Sequence, residues 1–444
     1  MSKTIRLKKG KDIGLVGQAP LALKGDIASA TYALKPTDFR FLVPKMEVKV
    51  GDEVQCGDAL FHDKSNDRVK FTSPVSGEVV EILRGERRAI QAVKVLADKE
   101  VKRKKFKVSD SSSKEEIIDV LLESGLWPNI VERPFGVIAN PEESPKAIHI
   151  SCFDSAPLAP DFSFILDGEQ EAFHKGVEIL KKLTDGKVHL NLRKGGKNNV
   201  FEGNSNAEYT YFSGPHPSGL VGVQIHHIDP INKGDIVWTL NPIHAAQIGK
   251  LFLTGELHRE TKIALAGSDV KEPGYYQCIQ GVDLTDTKTS HVADGARVIS
   301  GNVLTGTQLA DINYLGYFDQ LVTAIPEGDD YEFMGWLFPS YARPTLSNSL
   351  PISKFLKKTF KVNTNYHGEE RAYVVTGQYE KVTPMDIMPQ QLVKSILAGD
   401  FEKMENLGIY EVIEEDLALC EFVCTSKIEV QQILSDGIEL MSEE

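Results

Sequence analysis

VKVGDEVQCGDALFHDKSNDRVKFTSPVSGEVVEIL, from Val48 to Leu83, reads as two similar halves joined by a short polar hairpin. Each half gives a strand, a Gly-Asp or Ser-Gly turn and a second strand. Gly51, Gly57 and Gly77 stand where tight turns call for positive φ, and the alternating valines mark half-buried strands. The hairpin residues Asp63 to Lys70 are almost all polar or charged, which places them at the surface.

Two β half-motifs around a hairpin resemble the biotinyl/lipoyl barrel-sandwich hybrid, a module that in carrier proteins swings a cofactor from a hairpin lysine. Lys64 sits close to where that lysine would stand. The hairpin departs from the carrier pattern, because the first half is short and Asp67, Arg68 and Lys70 follow. The favoured reading is an unmodified Lys64 and a module used for docking.

Outward from this stretch, 444 residues exceed what one hydrophobic core normally serves, so two to four domains are expected. With 41% hydrophobic and 25% charged residues the composition is that of a soluble globular protein. No apolar run approaches the roughly 18 residues that span a bilayer. The basic start MSKTIRLKKGKDIG lacks the apolar stretch of a secretory signal. A net charge of −13 argues against general nucleic-acid binding. Five scattered cysteines suit a reducing compartment rather than a disulfide framework.

The basic run Val101 to Lys107 reads as a linker with a solvated face, a contact with anionic headgroups being the alternative. Ser113 and Glu116 form a capping box ahead of IIDVLLESGLW. Strand and helix signals then alternate. KAIHISCFDSAP reads as a buried strand ending in a loop. GEQEAFHKGVEILKKLTDG follows as a helix with an apolar stripe of Phe173, Val177, Leu180 and Leu183, and Gly186 as its stop. KVHLNLR, AEYTYFSG, DIVWTLNP and KIALAGSDV are further strands, and HAAQIGKLFLTG a further helix. The alternation predicts a parallel sheet with helices on its faces. No G-x-G-x-x-G or G-x-x-x-x-G-K-[ST] follows any strand, so a Rossmann-like sheet without its phosphate turn is expected, and nucleotide binding is not supported. Residues 260–325 turn β-rich, with LGYFDQLVTAIPEG read as two short strands. From about Phe355 the pattern becomes helical, and SKIEVQQILSDGIELMSEE reads as a solvated helix.

The chemistry-bearing residues are sparse. His226 and His227, read as neighbours on a strand, would point to opposite faces and could not share a metal ion. Cys420 and Cys424 lie one helical turn apart, but iron–sulfur ligation calls for four clustered thiolates. No nucleophile–base pair is recognisable, and neither catalytic nor metal-binding residues are assigned. The loop FSGPHPSGL, at the end of a strand, is the candidate pocket: Phe212 as a stacking face, His216 as a hydrogen-bond donor, and Gly214 and Gly219 for close backbone approach. A rigid packing turn is the competing reading.

APLALKGD near Pro20, the stretch from Leu60 to Val95, FDSAPLAPD at Phe153, LTDGKVHL, FSGPHPSGLVG, AAQIGKLFLTGEL, RVISGNVLTG and EEDLALCEFVC together resemble the A-subunit family of the sodium-translocating NADH:quinone oxidoreductase. The matches run in order from about residue 5 to 430. The resemblance implies an α/β multidomain chain: a barrel-sandwich hybrid over 1–100, a Rossmann-like α/β domain over 110–258, a small β-grasp-like (SLBB) domain over 259–328 and a helical domain over 350–444. It is similar in turn to the C subunit of the Rnf complex and to the flavin-bearing subunit of complex I, with their flavin loop and cysteine clusters missing.

It also implies a peripheral component of a six-subunit translocase, without activity in isolation. The chain itself would bind no cofactor, while NADH, flavins, iron–sulfur centres, quinone and sodium ions would be handled by other subunits. It would be held at the cytoplasmic face of the bacterial inner membrane, chiefly by the membrane B subunit. Two roles remain open: assisting the quinone-reducing step, with the 212–220 loop as a quinone pocket, or purely structural docking with no ligand. A free carrier protein is a distant third.

Overall fold

The computed structural model describes residues 3–328 and 359–443, together with 331, 333, 334 and 344. Alternating side chains of the opening stretch build two small antiparallel sheets. One has the strand order Thr31–Leu34, Ile90–Ala97, Gly77–Arg84, Glu53–Val54, and the other Pro44–Met46, Ala59–Asp63, Lys70–Thr72. Phe61, Phe71, Val79, Val93 and Val95 are buried in their shared core, and the Phe61 and Phe71 rings stack 4.8 Å apart. Gly51, Gly57 and Gly77 do have positive φ. At Gly77 a Cβ would lie 1.9 Å from the Leu96 carbonyl oxygen, so the close approach of two strands requires glycine there.

The hairpin is not a swinging arm. Val69 is buried at its base, and Arg68 reaches across to Asp119 at 3.0 Å and to Glu142 at 2.5 Å. Lys64 itself is exposed, with its backbone N–H donated to the Val43 carbonyl.

A seven-stranded sheet forms the second layer system, in the order Lys3–Arg6, Ala207–Ser213, Lys187–Arg193, Ala147–Ser151, Val237–Leu240, Val131–Arg133, Val137–Ile138. The first five strands run parallel, Val131–Arg133 runs antiparallel to them, and Val137–Ile138 pairs antiparallel with Val131–Arg133. Chain order moves outward from Ala147–Ser151 to one side and then jumps to Val237–Leu240 on the other, which puts the topological switch point between these two strands. Helices Gln170–Lys181 and Pro242–Thr254 pack on each other at unusually close range: a Cβ on Gly176 would stand 1.8 Å from Ala245 O, and one on Gly249 1.8 Å from Ala172 O. The expected stripe Phe173, Val177, Leu180 and Leu183 is fully buried. The helix stops at Lys181, before Gly186; that glycine instead admits the Lys146 carbonyl at 1.9 Å from where its Cβ would be.

A six-stranded sheet follows, ordered Thr307–Gln308, Ala296–Ser300, Leu321–Pro326, Glu260–Ala266, Gly274–Ile279, Leu23–Asp26. Only one strand, Leu321–Pro326, comes from LGYFDQLVTAIPEG, where two were expected. Lys3–Arg6 and Leu23–Asp26 are edge strands of the second and third sheets, so the 1–100 span expected for the sandwich includes strands that the fold places elsewhere.

One buried arginine ties the sandwich, the α/β domain and the third domain together. Arg259 donates to Gln280 Oε1 and Tyr317 Oη at 3.1 Å each, to Gly125 O at 2.9 Å and to Thr72 Oγ1 at 3.4 Å. The Tyr317 hydroxyl passes the network on to Asn129 Oδ1 at 2.7 Å. The basic run is no free linker either. Arg103 pairs with Glu260, Lys104 with Glu123 at 3.2 Å and Lys105 with Glu256 at 3.9 Å, and Phe106 is buried between them. Acidic partners on both neighbouring domains absorb its charge.

The C-terminal helices are Tyr379–Val382, Pro389–Leu397, Phe401–Asn406, Glu414–Val423 and Val430–Ser442. Helix begins later than expected: residues 359–378 have none, and part of the 350–444 span lies outside the described residues. The last helix is not solvated all round but buries Val430, Leu434, Ile438 and Met441 on one face. Among the described residues no helix is long and apolar enough to cross a membrane.

Candidate functional site

At the switch point, where an open α/β sheet usually receives its ligand beyond the carboxyl ends of the strands, this chain turns its own groups inward. The strand Ala147–Ser151 ends on Ser151, whose Oγ donates within reach of Gly219 O at 2.8 Å and Phe153 O at 2.9 Å. Gln224, fully buried on helix Val221–Ile228, donates Nε2 to that same Oγ at 2.9 Å and to Ser218 O at 3.1 Å. Ser155 Oγ accepts the Gly219 N–H at 2.8 Å and lies 3.0 Å from His216 Nδ1. The 214–220 loop is thereby folded down onto the strand end.

The N-terminal segment locks the loop from above. Asp12 accepts the His216 N–H at 2.9 Å, and Lys11 N–H reaches His216 O at 2.8 Å. A Cβ at Gly10 would stand 2.2 Å from His216 O. A second clamp comes from the helical domain. Arg133, almost wholly buried, holds Asp416 Oδ2 with both terminal nitrogens at 3.1 Å and Glu415 at 3.5 Å. Asp416 in turn lies against the start of helix Val221–Ile228, where a Cβ on Gly222 would be 2.5 Å from its carboxylate.

The four residues singled out from sequence meet in this loop but differ from their expected parts. Phe212 is fully buried within the sheet and presents no open face. Gly214, with φ of 139°, would bring a Cβ 2.6 Å from Leu7 O, and Gly219 2.6 Å from Ser155 N; both glycines serve close packing within the chain. His216 is buried, and burial pushes its pKa down to about 4, with Asp12 opposing the shift. Asp154, the residue before the Ser155 that contacts His216, is half-buried and is pushed up by desolvation.

Ser151, Ser155, Gln224, Asp12, Arg133 and Asp416 were not singled out from sequence. Their partners lie far along the chain, and no local spacing marks them.

His226 and His227 lie on a helix rather than a strand. His226 Nε2 accepts the Asp386 N–H at 3.0 Å, so Nδ1 carries the proton donated to Glu411 at 2.6 Å. His227 Nε2 donates to Pro384 O at 2.8 Å. Both rings fasten the α/β domain to the helical domain. Cys420 and Cys424 are buried beside hydroxyls, Thr383 Oγ1 at 3.2 Å and Tyr379 Oη at 3.1 Å, and burial pushes the Cys420 thiol up to about 12. The Cys420 thiol therefore stays protonated rather than serving as a thiolate ligand.

Comparison with known proteins accords with this architecture. Family models described as the NqrA N-terminal barrel-sandwich hybrid domain, the NqrA second alpha/beta domain and the NQRA C-terminal domain match residues 5–98, 112–257 and 262–311. The A subunit of the Na(+)-translocating NADH-quinone reductase of Yersinia pseudotuberculosis is 38% identical over 446 residues, covering 99% of this chain and 100% of that relative. Its counterpart of the same name from Vibrio parahaemolyticus is 37% identical with the same coverage. A solved NAD+-reducing NiFe hydrogenase aligns with 75% of this chain and 61% of its own at 12% identity and a TM-score of 0.39, a likeness that carries no argument. The chain belongs to the A-subunit family of the Na(+)-translocating NADH-quinone reductase.

Proposed function

We propose that this chain is a non-redox, peripheral component of a sodium-translocating NADH-quinone reductase, and that its work is to dock and hold the membrane subunits, the B subunit first among them, from the cytoplasmic side. The observation that carries this reading is the closed strand-end crevice. The place where a nucleotide would lie is taken by Gly219, Ser155, Ser151 and Gln224 hydrogen-bonded to one another. The sequence offers no glycine-rich phosphate turn there.

Two further observations support it. The cysteines at 420 and 424 are buried and hydrogen-bonded, and burial raises the Cys420 thiol to about 12, which suits packing rather than ligation. The sandwich hairpin is pinned by Val69 and Arg68, which suits a docking surface rather than a carrier arm. The 212–220 loop, on this reading, is a packing device; Phe212 has no free face to stack on a quinone.

The test is a complex lacking this chain, assayed with and without the purified full-length chain added back. NADH oxidation by an artificial one-electron acceptor should persist without it. Sodium-dependent quinone reduction should fall and recover on addition. Loss of NADH oxidation itself, or a flavin absorption band in the purified chain, would contradict a non-redox role.

A further inference from the structure

Two basic runs leave the parallel sheet at its carboxyl edge. RLKKGK, from Arg6 to Lys11, continues the strand Lys3–Arg6, and RKGGK, from Arg193 to Lys197, continues the strand Lys187–Arg193. The strand Ala207–Ser213 lies between these two and pairs in parallel with both. Its register brings the runs out side by side: Arg6 stands opposite Ser213 and Arg193 opposite Phe212. Just beyond, the Leu7 N–H donates to Ser213 O and the Lys194 N–H to Phe212 O, each at 2.8 Å. Two strand spacings put the runs about 10 Å apart where they leave the sheet.

The cations at this edge are left in solvent. Arg6, Lys8, Lys9, Arg193, Lys194 and Lys197 are all exposed, and none of the six is paired with a carboxylate among the described residues. Asp12, the nearest acid along the first run, is engaged by the His216 N–H. At the amino end of the same sheet the opposite holds. Lys187 pairs with Glu208 at 2.7 Å, and Lys146 with Asp229 at 3.2 Å and Asp235 at 2.8 Å. A chain of net charge −13 thus neutralises its lysines at one end of the sheet and gathers free ones at the other.

We infer that this edge is a contact surface for anionic lipid headgroups, an inference that rests on the cytoplasmic-side placement proposed above. The cytoplasmic leaflet carries negative surface potential, which attracts clusters of four to eight lysines and arginines. Cytoplasmic loops of membrane proteins carry excess lysine and arginine and would repel it, so the lipid complements this edge better than a membrane subunit does. The acidic remainder of the chain suits those loops instead. Its overall negative charge does not prevent the contact, because at 0.1 M salt only charges within about 10 Å of the surface are felt. Leu7, the one apolar residue within the two runs, is buried, so the contact is electrostatic and without insertion.

Flotation of the full-length chain tests this, with vesicles of phosphatidylcholine alone and of phosphatidylcholine and phosphatidylglycerol mixed two to one. Binding to the anionic vesicles should be at least about tenfold greater at low salt, and should be lost at about 0.5 M salt. Lys8→Gln, Lys9→Gln and Lys194→Gln together should weaken it at least about tenfold. Arg84→Gln, Arg87→Gln and Arg88→Gln together remove the same charge from an exposed turn of the sandwich and should leave it unchanged. No preference for anionic vesicles, or equal losses in the two triple variants, would overturn the assignment. So would a Lys8, Lys9 and Lys194 triple variant that floats like the parent but fails to restore the depleted complex, since the edge would then belong to an acidic protein partner. Flotation needs no other subunit, so its failure would leave the docking role standing, and failure of the add-back assay alone would fall on that role.

Discussion

The strand-end crevice lies in the α/β domain, and a cleft beside Lys262 lies between that domain and the third sheet; the two are treated in opposite ways. In the crevice the polar groups of Ser151, Ser155, His216, Gly219 and Gln224 are turned toward one another. In the cleft, about 390 Å³ stays open beside Lys262, whose ammonium donates to the Phe164 and Asp167 carbonyls. A fold can keep the topology of a ligand-binding sheet while closing its customary site, and leave an opening where a second domain meets the first. Location within a fold is therefore weaker evidence of function than whether the polar groups found there are already satisfied.

That contrast can be broken by mutation, beginning where the chain is most committed. Arg133→Met leaves Asp416 buried without its cation and should cost about 3–5 kcal/mol in denaturant unfolding. An effect under about 1 kcal/mol would mean that the clamp on the crevice is slack. Gly219→Ala places a methyl group 2.6 Å from Ser155 N, and should cost about 1–3 kcal/mol as the loop is forced off the strand end.

His216 sharpens the comparison through pH. Its folded pKa is lowered from 6.5 to about 4, so the native state prefers the neutral ring. Between those values the unfolded chain binds more protons. The contribution of His216 is therefore complete above about pH 6.5 and is lost as the pH falls toward 4, by about 3 kcal/mol at most. His216→Gln should flatten that part of the stability profile relative to the parent chain, measured by urea unfolding at a series of pH values. Lys262→Met, in the open cleft, should change stability by no more than about 0.5 kcal/mol in the absence of any ligand. Intact-mass measurement of the chain from its native source should show Lys64 unmodified, as a hairpin pinned through Arg68 suggests.

Much of the architecture was legible because it rests on local periodicity. The valines of Val48–Leu83, the capping box at Ser113 and the stripe from Phe173 to Leu183 each declare an element within a few residues of chain. QIHHIDP misled because an eight-residue helix with a hydrophobic run looks like a strand over so short a window. The C-terminal helix read as solvated because acidic residues at its end obscure the buried face of Val430, Leu434, Ile438 and Met441. The site was harder still. The loop itself was marked by its glycines and prolines, but the Asp12–His216 and Arg133–Asp416 contacts join residues 204 and 283 positions apart.

Hydrogen exchange of the peptide spanning residues 212–224, followed by mass spectrometry on the full-length chain with and without NADH, addresses the closed crevice most directly. The Gly219 and Gln224 amides lie under hydrogen bonds to Ser155 and Leu220, so their exchange should be slow, close to that of the neighbouring strand Ala147–Ser151, and NADH should leave it unchanged. Fast exchange in this peptide that NADH slows would mean that the loop opens to a nucleotide, and the reading of this chain as a non-redox docking scaffold would fail.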